Sequence, residues 1–357
     1  MLCLKGCDFS QYIERFRIIK NGHIYDPIYP VQWDDLFNSE LLSLKNKENF
    51  PLLFLVGDSE FDKFRKLKDW VNKQWVAGNP TPYPPWNANI VLDWIRQDKT
   101  SGFCAQYAQV LLQSLLSLGY QARYIEIGSR DNPYAHFVIE VWSNEFNKWI
   151  VLDPDYNIHF EYKGVPMSAR EVQYFVAQDR YNEFKVISGN NKLASDIGRW
   201  PYQTKELYYY LRYFQRANHL TDTAANPFDR VSDAVESRSP DVTPWEDSEV
   251  ESQYPKEKLT TKQIYDDQQF NFSMNQTQVE IVVKSAHSVD LSLVNNMKQF
   301  SHYAIRALDE SRAVLREWSY RGEFFEWRPT ADEVLLTIVA VNGLGVEGFT
   351  AEVGYLR

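Results

Sequence analysis

Apolar residues recur at helical spacing through the first third of the chain. Trp33, Leu36, Phe37, Leu41 and Leu44 predict a helix over 33–47, and Phe61, Phe64, Leu67, Trp70, Val71 and Trp75 predict a second over 61–76. Asp58 or Ser59 can cap the second helix and Gly78 can end it. The run Asn79-Pro80-Thr81-Pro82-Tyr83-Pro84-Pro85 then forces extended chain, because proline lacks the helix donor and restrains the residue before it. A short helix over 87–97 follows. The clearest pattern lies over 104–118, where Ala105, Ala108, Leu111, Leu112, Leu115 and Leu118 form one broad stripe and Gly119 provides the stop. Residues 120–127, 135–142 and 148–152 are rich in β-branched and aromatic side chains and read as strands, the last two joined by a short connection over 143–147. Helices are expected near 168–180 and 205–220, the second crowded with tyrosines.

Periodicity disappears over 221–258, where Pro227, Pro240, Pro244 and Pro255 sit among acidic residues and serines, the signature of a linker. Beyond it the pattern is all strand: 270–272, 278–283, 289–294, 303–307, 314–318, 334–341 and 349–355. So many short strands in about a hundred residues suggest a small β-sandwich of the immunoglobulin or fibronectin type, with Asn342-Gly343 in its last turn. The expected division is a mixed lead-in over 1–57, a helix-and-strand domain over 58–220, an acidic linker over 221–258 and a sandwich over 259–357.

Composition narrows the partners. With 357 residues and a formal net charge of −10, the chain is long enough for two domains and has no basic footprint for nucleic acid. No apolar run approaches the roughly 18 residues of a membrane helix, so no membrane is expected. No secretory signal is visible, although Leu4-Lys5-Gly6-Cys7 faintly echoes a lipoprotein signal; a cytoplasmic protein is expected, or an extracytoplasmic one if the N-terminus is truncated. Three cysteines, Cys3, Cys7 and Cys104, are too few for a disulfide scaffold. Aromatic residues make up 15%, enough to line a groove for peptide or sugar, though core packing accounts for most of them.

Chemistry gathers between 97 and 155. Cys104 opens the strongest helix, where unpaired N–H groups and the helix dipole favour a thiolate nucleophile, and Gly102 lets the backbone come close to a substrate. His136 opens one expected strand, and Asp153 closes its neighbour. A thiol nucleophile needs a base, and the base needs an acid to fix its tautomer, so Cys104, His136 and Asp153 form a candidate triad in that order. Asp155, on the same strand face, is the competing acid, but Pro154 favours a strand end at Asp153. Gln97 and the Trp94 indole are candidates to help the Cys104 N–H hold an oxyanion. The six histidines make no ligand cluster, and the acidic run over 246–251 lacks the pattern of a calcium loop, so no metal or cofactor is implied.

The segments Gly102-Phe103-Cys104-Ala105-Gln106-Tyr107-Ala108, Leu118-Gly119-Tyr120-Gln121-Ala122-Arg123-Tyr124, 136–142 and 149–154 together resemble the core of the transglutaminase-like superfamily. The resemblance implies a papain-like α+β catalytic domain with Cys104 as nucleophile, His136 as general base and acid, and Asp153 as orienting carboxylate. Phe137-Val138 replace the family's usual small residue and aromatic after the histidine, which alters the groove wall. The paired zinc-binding cysteine motifs of the similar peptide N-glycanases are absent. The reading is therefore an α+β enzyme with a following β-sandwich, acting on amide or ester carbonyls of a peptide, protein or other amide-bearing substrate through an acyl-thioester. Bacterial relatives point to peptide or amide hydrolysis. The alternatives are amine-accepting transglutamination and a non-catalytic module that binds peptide or glycan, with the sandwich contacting a glycan or protein.

Overall fold

The computed structural model describes residues 15–28, 30–129, 136–189, 207–221, 234–238, 261–263, 267–285 and 287–356. It divides the chain into two units, Asp26–Phe272 and a second made of Met1–Tyr25 with Ser273–Arg357. Strand β1 (Phe16–Lys20) pairs Phe16 with Tyr355 and Ile18 with Val353, and it buries Phe16 in the apolar core of the second unit. The segment 1–57 is thus split between the units.

In the larger unit, the two-residue strand β2 (Gln32–Trp33) precedes helices α1 (Ser39–Glu48), α2 (Glu60–Asn72), α3 (Ala88–Arg96) and α4 (Cys104–Ser117). Each begins at a side chain or backbone suited to the task. Asn38 caps α1 by accepting from the Glu40 N–H, and Ser59 and Asp62 cap α2 reciprocally, each side chain accepting from the other's backbone N–H at 3.1 Å. Helices α1, α2 and α3 pack against α4, as do strands β3 (Ala122–Gly128) and β4 (His136–Ser143). Consequently α4 is buried around its whole circumference from Ala105 to Ser117, well beyond the apolar stripe visible in the sequence. Its polar residues tolerate burial because they are bonded. Gln109 and Gln113 donate to the Trp86 carbonyl at 3.0 and 3.2 Å, Gln113 accepts from the Ala88 N–H at 2.7 Å, and Ser114 and Ser117 donate back into the helix.

The main sheet continues through β5 (Lys148–Asp153), β6 (Ile158–Tyr162), β7 (Val165–Pro166) and, after helix α5 (Ala169–Ala177), β8 (Lys185–Ser188). Strands β9 (Tyr210–Phe214), β10 (Arg216–Ala217), β11 (Ala234–Arg238) and β12 (Thr261–Gln263) complete the unit. The sheet order is β12-β11-β9-β3-β4-β5-β6-β7, with β8 also on β6, while β10 and β2 form a separate parallel pair. Ile125, Val138, Val151, Phe160 and Leu211 on one face of the sheet share a core with Val172 and Val176 of α5.

The helix expected over 205–220 is not formed: that stretch makes β9 and β10. Leu211 and Tyr213 pair with Ile127 and Ile125 and enter the core, whereas Arg212 between them bonds Glu126 at 3.0 Å. This period-two alternation, in residues that favour strands, outweighs helical spacing. The strand expected over 270–272 is also absent. Phe270 and Phe272 instead act as buried plugs against Tyr213 and Trp149, with ring centroids 4.9 and 5.5 Å apart. The linker expected over 221–258 lies outside the described residues apart from Thr221 and β11, which pairs with β9.

The second unit adds β13 (Thr277–Ser285), β14 (Ser288–Asn295), β15 (Phe300–Leu308), β16 (Val314–Tyr320), β17 (Phe324–Trp327), β18 (Leu335–Asn342) and β19 (Glu347–Tyr355). Sheets β13-β14-β17 and β1-β19-β18-β15-β16 share one core, in which Val279 and Leu291 meet Ile305, Ile338 and Val353. The architecture is α+β with a strand-rich sandwich. Among the described residues no helix is long and apolar enough to cross a membrane.

A buried ion pair ties the main sheet to its surroundings. Arg123 on β3 bonds Glu140 on β4 at 2.6 Å, lies 4.0 Å from the Trp149 ring centroid, and donates to the Phe270 carbonyl, while Glu140 also accepts from the Ala169 N–H at 2.6 Å. Removing one partner leaves the other charge buried and alone. Arg123→Met should therefore lower unfolding free energy by about 3–5 kcal/mol in urea titrations. The double variant Arg123→Met/Glu140→Gln should recover part of that loss, since the amide keeps the Ala169 bond without the charge. Equal losses in the single and double variants would contradict this.

Candidate active site

Cys104 is the first residue of α4 and is half-buried. Phe103 before it is extended, and its N–H donates to the Gln106 side chain at 3.1 Å. In the first turn of a helix the Cys104 N–H has no intrahelical acceptor, so it remains a donor beside its own sulfur. Gly102 serves close packing here. A Cβ at this position would lie 3.0 Å from Trp75 Nε1 and 2.8 Å from the Gln106 Cβ. The Trp75 indole N–H donates to the Gly102 carbonyl at 3.2 Å, and its ring stacks on Tyr107 with centroids 4.1 Å apart.

His136 begins β4 and Asp153 ends β5. The last pair of the ladder between these strands is Ile139 with Leu152; continued, the register would set Val138 against Asp153 and His136 against Asp155. Pro154 stops the ladder first. The hydrogen bond from His136 then reaches diagonally along the face, Nε2 to Asp153 Oδ2 at 2.8 Å. The other Asp153 oxygen accepts from the Asp155 and Tyr156 N–H groups at 3.1 and 3.0 Å, and Asn72 at the end of α2 donates to the carbonyls of Pro154 and Asp155. A carboxylate with both oxygens bonded is fixed in orientation, and it fixes the imidazole.

Burial opposes charge on the His136 ring, but the Asp153 charge and hydrogen bonds to Asp153 and Cys104 outweigh it, holding the ring well above its ordinary value. The Cys104 sulfur, a His136 nitrogen and an Asp155 carboxylate oxygen lie within 4.8 Å of one another. Asp155 itself is pushed up to about 6, by burial first and by the Asp153 charge second, against the pull of His136. Chemically the group sets a sulfur beside an imidazole whose proton is held more tightly than usual, with a carboxylate bonded behind the ring. The same sulfur, nitrogen and oxygen donors are also a set that could hold a metal ion.

Of the sequence candidates, Cys104, His136, Asp153 and Asp155 are brought together. Gln97 is not: it is exposed at the C-terminal cap of α3, and no hydrogen bond links it to the group around Cys104. Trp94 is half-buried on the same helix. Cys3 and Cys7 lie outside the described residues. Unanticipated neighbours are Tyr156, whose ring lies 4.8 Å from that of His136, along with Trp75 and Asn72. Tyr156 is three residues past Asp153 and could have been sought there. Asn72 ends α2 and Trp75 follows it, in a stretch whose spacing signals only an apolar face.

Residues 56–154 match the family described as the transglutaminase-like superfamily. They form a transglutaminase-like domain. No curated protein matches the chain. Similar solved structures include red sea bream transglutaminase, at 12% identity with a TM-score of 0.28, covering 98% of this chain and 63% of that one. Native α2-macroglobulin from Escherichia coli, spanning domains MG0-NIE-MG1, is similar at 11% identity with a TM-score of 0.18, covering 62% of this chain and 58% of that one. The chain thus spans less than two thirds of either structure.

Two titrations test the electrostatics. In ring-proton NMR, His136 should remain protonated above pH 6.5 in the wild type, and Asp153→Asn should move its titration downward. Asp155 has a folded value of about 6 against an ordinary 3.8, so the stability it contributes is present at low pH and is lost as pH rises through 6. Asp155→Asn should therefore melt above the wild type at neutral pH, with the gain shrinking towards pH 4. A gain independent of pH would show that the carboxyl is not raised.

Proposed function

We propose that the transglutaminase-like domain is a cysteine-dependent acyl-transfer enzyme acting on amide or ester carbonyls, with hydrolysis of a peptide or related amide as its reaction. The observation that carries the reading is the 2.8 Å bond between His136 and Asp153, with the Cys104 sulfur alongside at a helix N-terminus. With Nε2 committed to Asp153, Nδ1 is the nitrogen left for the sulfur.

The thiolate of Cys104 attacks the substrate carbonyl, forming a C–S bond and moving the carbonyl electron pair onto oxygen. The Cys104 N–H receives that oxyanion. Protonated His136 gives its Nδ1 proton to the leaving nitrogen or oxygen, the C–N or C–O bond breaks, and an acyl-thioester remains. Neutral His136 then takes a proton from water as it adds to the thioester carbonyl. Collapse breaks the C–S bond and releases the acid, and the thiolate and imidazolium are restored. Asp153 holds the ring and balances its charge throughout, without itself taking the proton.

An activated ester should leave an acyl group on Cys104 detectable by mass spectrometry, absent in Cys104→Ser. Asp153→Asn should keep the melting behaviour of a folded protein while turnover falls by about 10⁴. Asp155→Asn should cost far less. A larger loss in Asp155→Asn would transfer the orienting role to that residue. Ammonia release from a glutamine peptide only in the presence of a primary amine would replace hydrolysis with transamidation, and no acyl adduct on folded protein would leave a binding module.

A further inference from the structure

Three donors of different kinds converge at Cys104. Its sulfur, a His136 nitrogen and an Asp155 carboxylate oxygen lie within 4.8 Å of one another, and Cys104 and Asp155 are only half-buried, so the group can be reached from solvent. Because His136 Nε2 is bonded to Asp153 at 2.8 Å, the ring nitrogen left for this group is Nδ1. Asp155 has no part in the acyl-transfer steps above. Among the described residues none donates a hydrogen bond to its carboxylate, whereas both oxygens of Asp153 are bonded. With the thiol ionised, Cys104, Asp153 and Asp155 set three negative groups around one imidazolium. A carboxylate so placed repels a thiolate and attracts a cation.

The donor set decides which cation. Thiolate sulfur and imidazole nitrogen disfavour magnesium and calcium, which take oxygen ligands, and favour zinc, which accepts sulfur, nitrogen and carboxylate oxygen together. At zinc's bond lengths of about 2.0–2.3 Å, tetrahedral ligands stand roughly 3.5 Å apart, so the three donors close on an ion by moving about an ångström. Three protein ligands leave a fourth position for water. The bond behind the ring completes the pattern. A histidine that ligates zinc through one nitrogen is held by a partner on the other, often a carboxylate, and Asp153 already stands in that place, itself fixed by the Asp155 and Tyr156 N–H groups.

We propose that Cys104 Sγ, His136 Nδ1 and Asp155 form a zinc site that switches the acyl-transfer centre off. Coordination forms one bond from each donor to the metal and releases the proton that thiol and imidazole share. The sulfur's electron pair is then committed to the metal, and the ring has no Nδ1 proton to give a leaving group. Removing the metal restores both. The inhibitory half of the proposal rests on the acyl-transfer reading; the binding half does not.

The test uses the full chain, stripped of metal with a chelator, and cobalt(II) as a visible substitute for zinc. Cobalt should bind one to one with a thiolate-to-cobalt charge-transfer band, and zinc should displace it. Cys104→Ser should lose the band. Asp153→Asn should weaken binding by about 10–100-fold, and Asp155→Ala by at least as much. In parallel, zinc should suppress acylation of Cys104 by an activated ester, chelator should restore it, and Asp155→Ala should need about tenfold more zinc or beyond for the same suppression. No band in the wild type, a band retained in Cys104→Ser, or binding unchanged in Asp155→Ala would overturn the site. Acylation or ester hydrolysis that continues in the zinc-saturated protein would overturn the switch. If the metal-free protein forms no acyl adduct, the acyl-transfer reading fails and the inhibitory half with it, while the cobalt titration still decides the site.

Discussion

Helix α4 has no solvent face, and the rest of the larger unit is arranged around that constraint. A helix buried on all sides must satisfy each polar side chain internally, which is why Gln109 and Gln113 converge on one carbonyl of Trp86 and the serines bond back to their own helix. These bonds lock the rotation and the axial position of α4 as firmly as its apolar contacts do. Its first residue is consequently placed without freedom to slide. Cys104 meets the edge of the β4–β5 ladder because no other seating of α4 would keep Gln113 against Ala88 and Gly102 against Trp75.

The opposing side of the site is set by a strand end. Had β5 run two residues further, its register would have put Asp155 opposite His136 and left Asp153 one step away on the same face. Pro154 cannot donate to a ladder, the chain turns, and the turn folds two N–H groups back onto Asp153. Asp153 thereby has three bonds, two from the turn and one to His136, whereas Asp155, with its own charge disfavoured by burial and by Asp153, is held at about 6. Two carboxyl groups separated by a single residue thus acquire different surroundings, the one held by hydrogen bonds and the other pressed by burial and by its neighbour's charge.

The order of cysteine, histidine and aspartate was legible because each residue stands at the boundary of an element with a strong local signal: a helix start, a strand start and a strand end at proline. The same legibility extends to α2, α3, α4 and most sandwich strands. It failed where partners decide the outcome. Tyr210 and Tyr213 become strand because β3 offers Gly128 and Ile125 as their partners, more than eighty residues away. Trp75 and Lys68 sit at positions whose spacing only says that α2 and its C-terminal extension have an inner side. That a lysine on this inner side is wholly buried and a tryptophan just past the helix meets Gly102 depends on three-dimensional placement that periodicity does not encode. Phe16 belongs to a core made otherwise of residues from 279 to 353, and no local pattern announces so distant a partner.

That distance is itself explained by the way the larger unit closes on its own ends. The Ile28 N–H donates to the Gln269 side chain at 2.8 Å, so the points where the chain enters and leaves this unit are joined. Strand β1 and strands β13 to β19 are thus separated by a folded insert, not by a free loop of some 250 residues. The entropy of closing a flexible loop grows only slowly with its length, by about 0.6 kcal/mol per doubling, and an insert whose ends already meet removes most of even that cost. A five-residue strand such as β1 can then dock on β19 with little entropic opposition. This is why the sandwich can depend on residues from both ends of the sequence while the larger unit, complete between Asp26 and Phe272, supplies every residue of the site around Cys104.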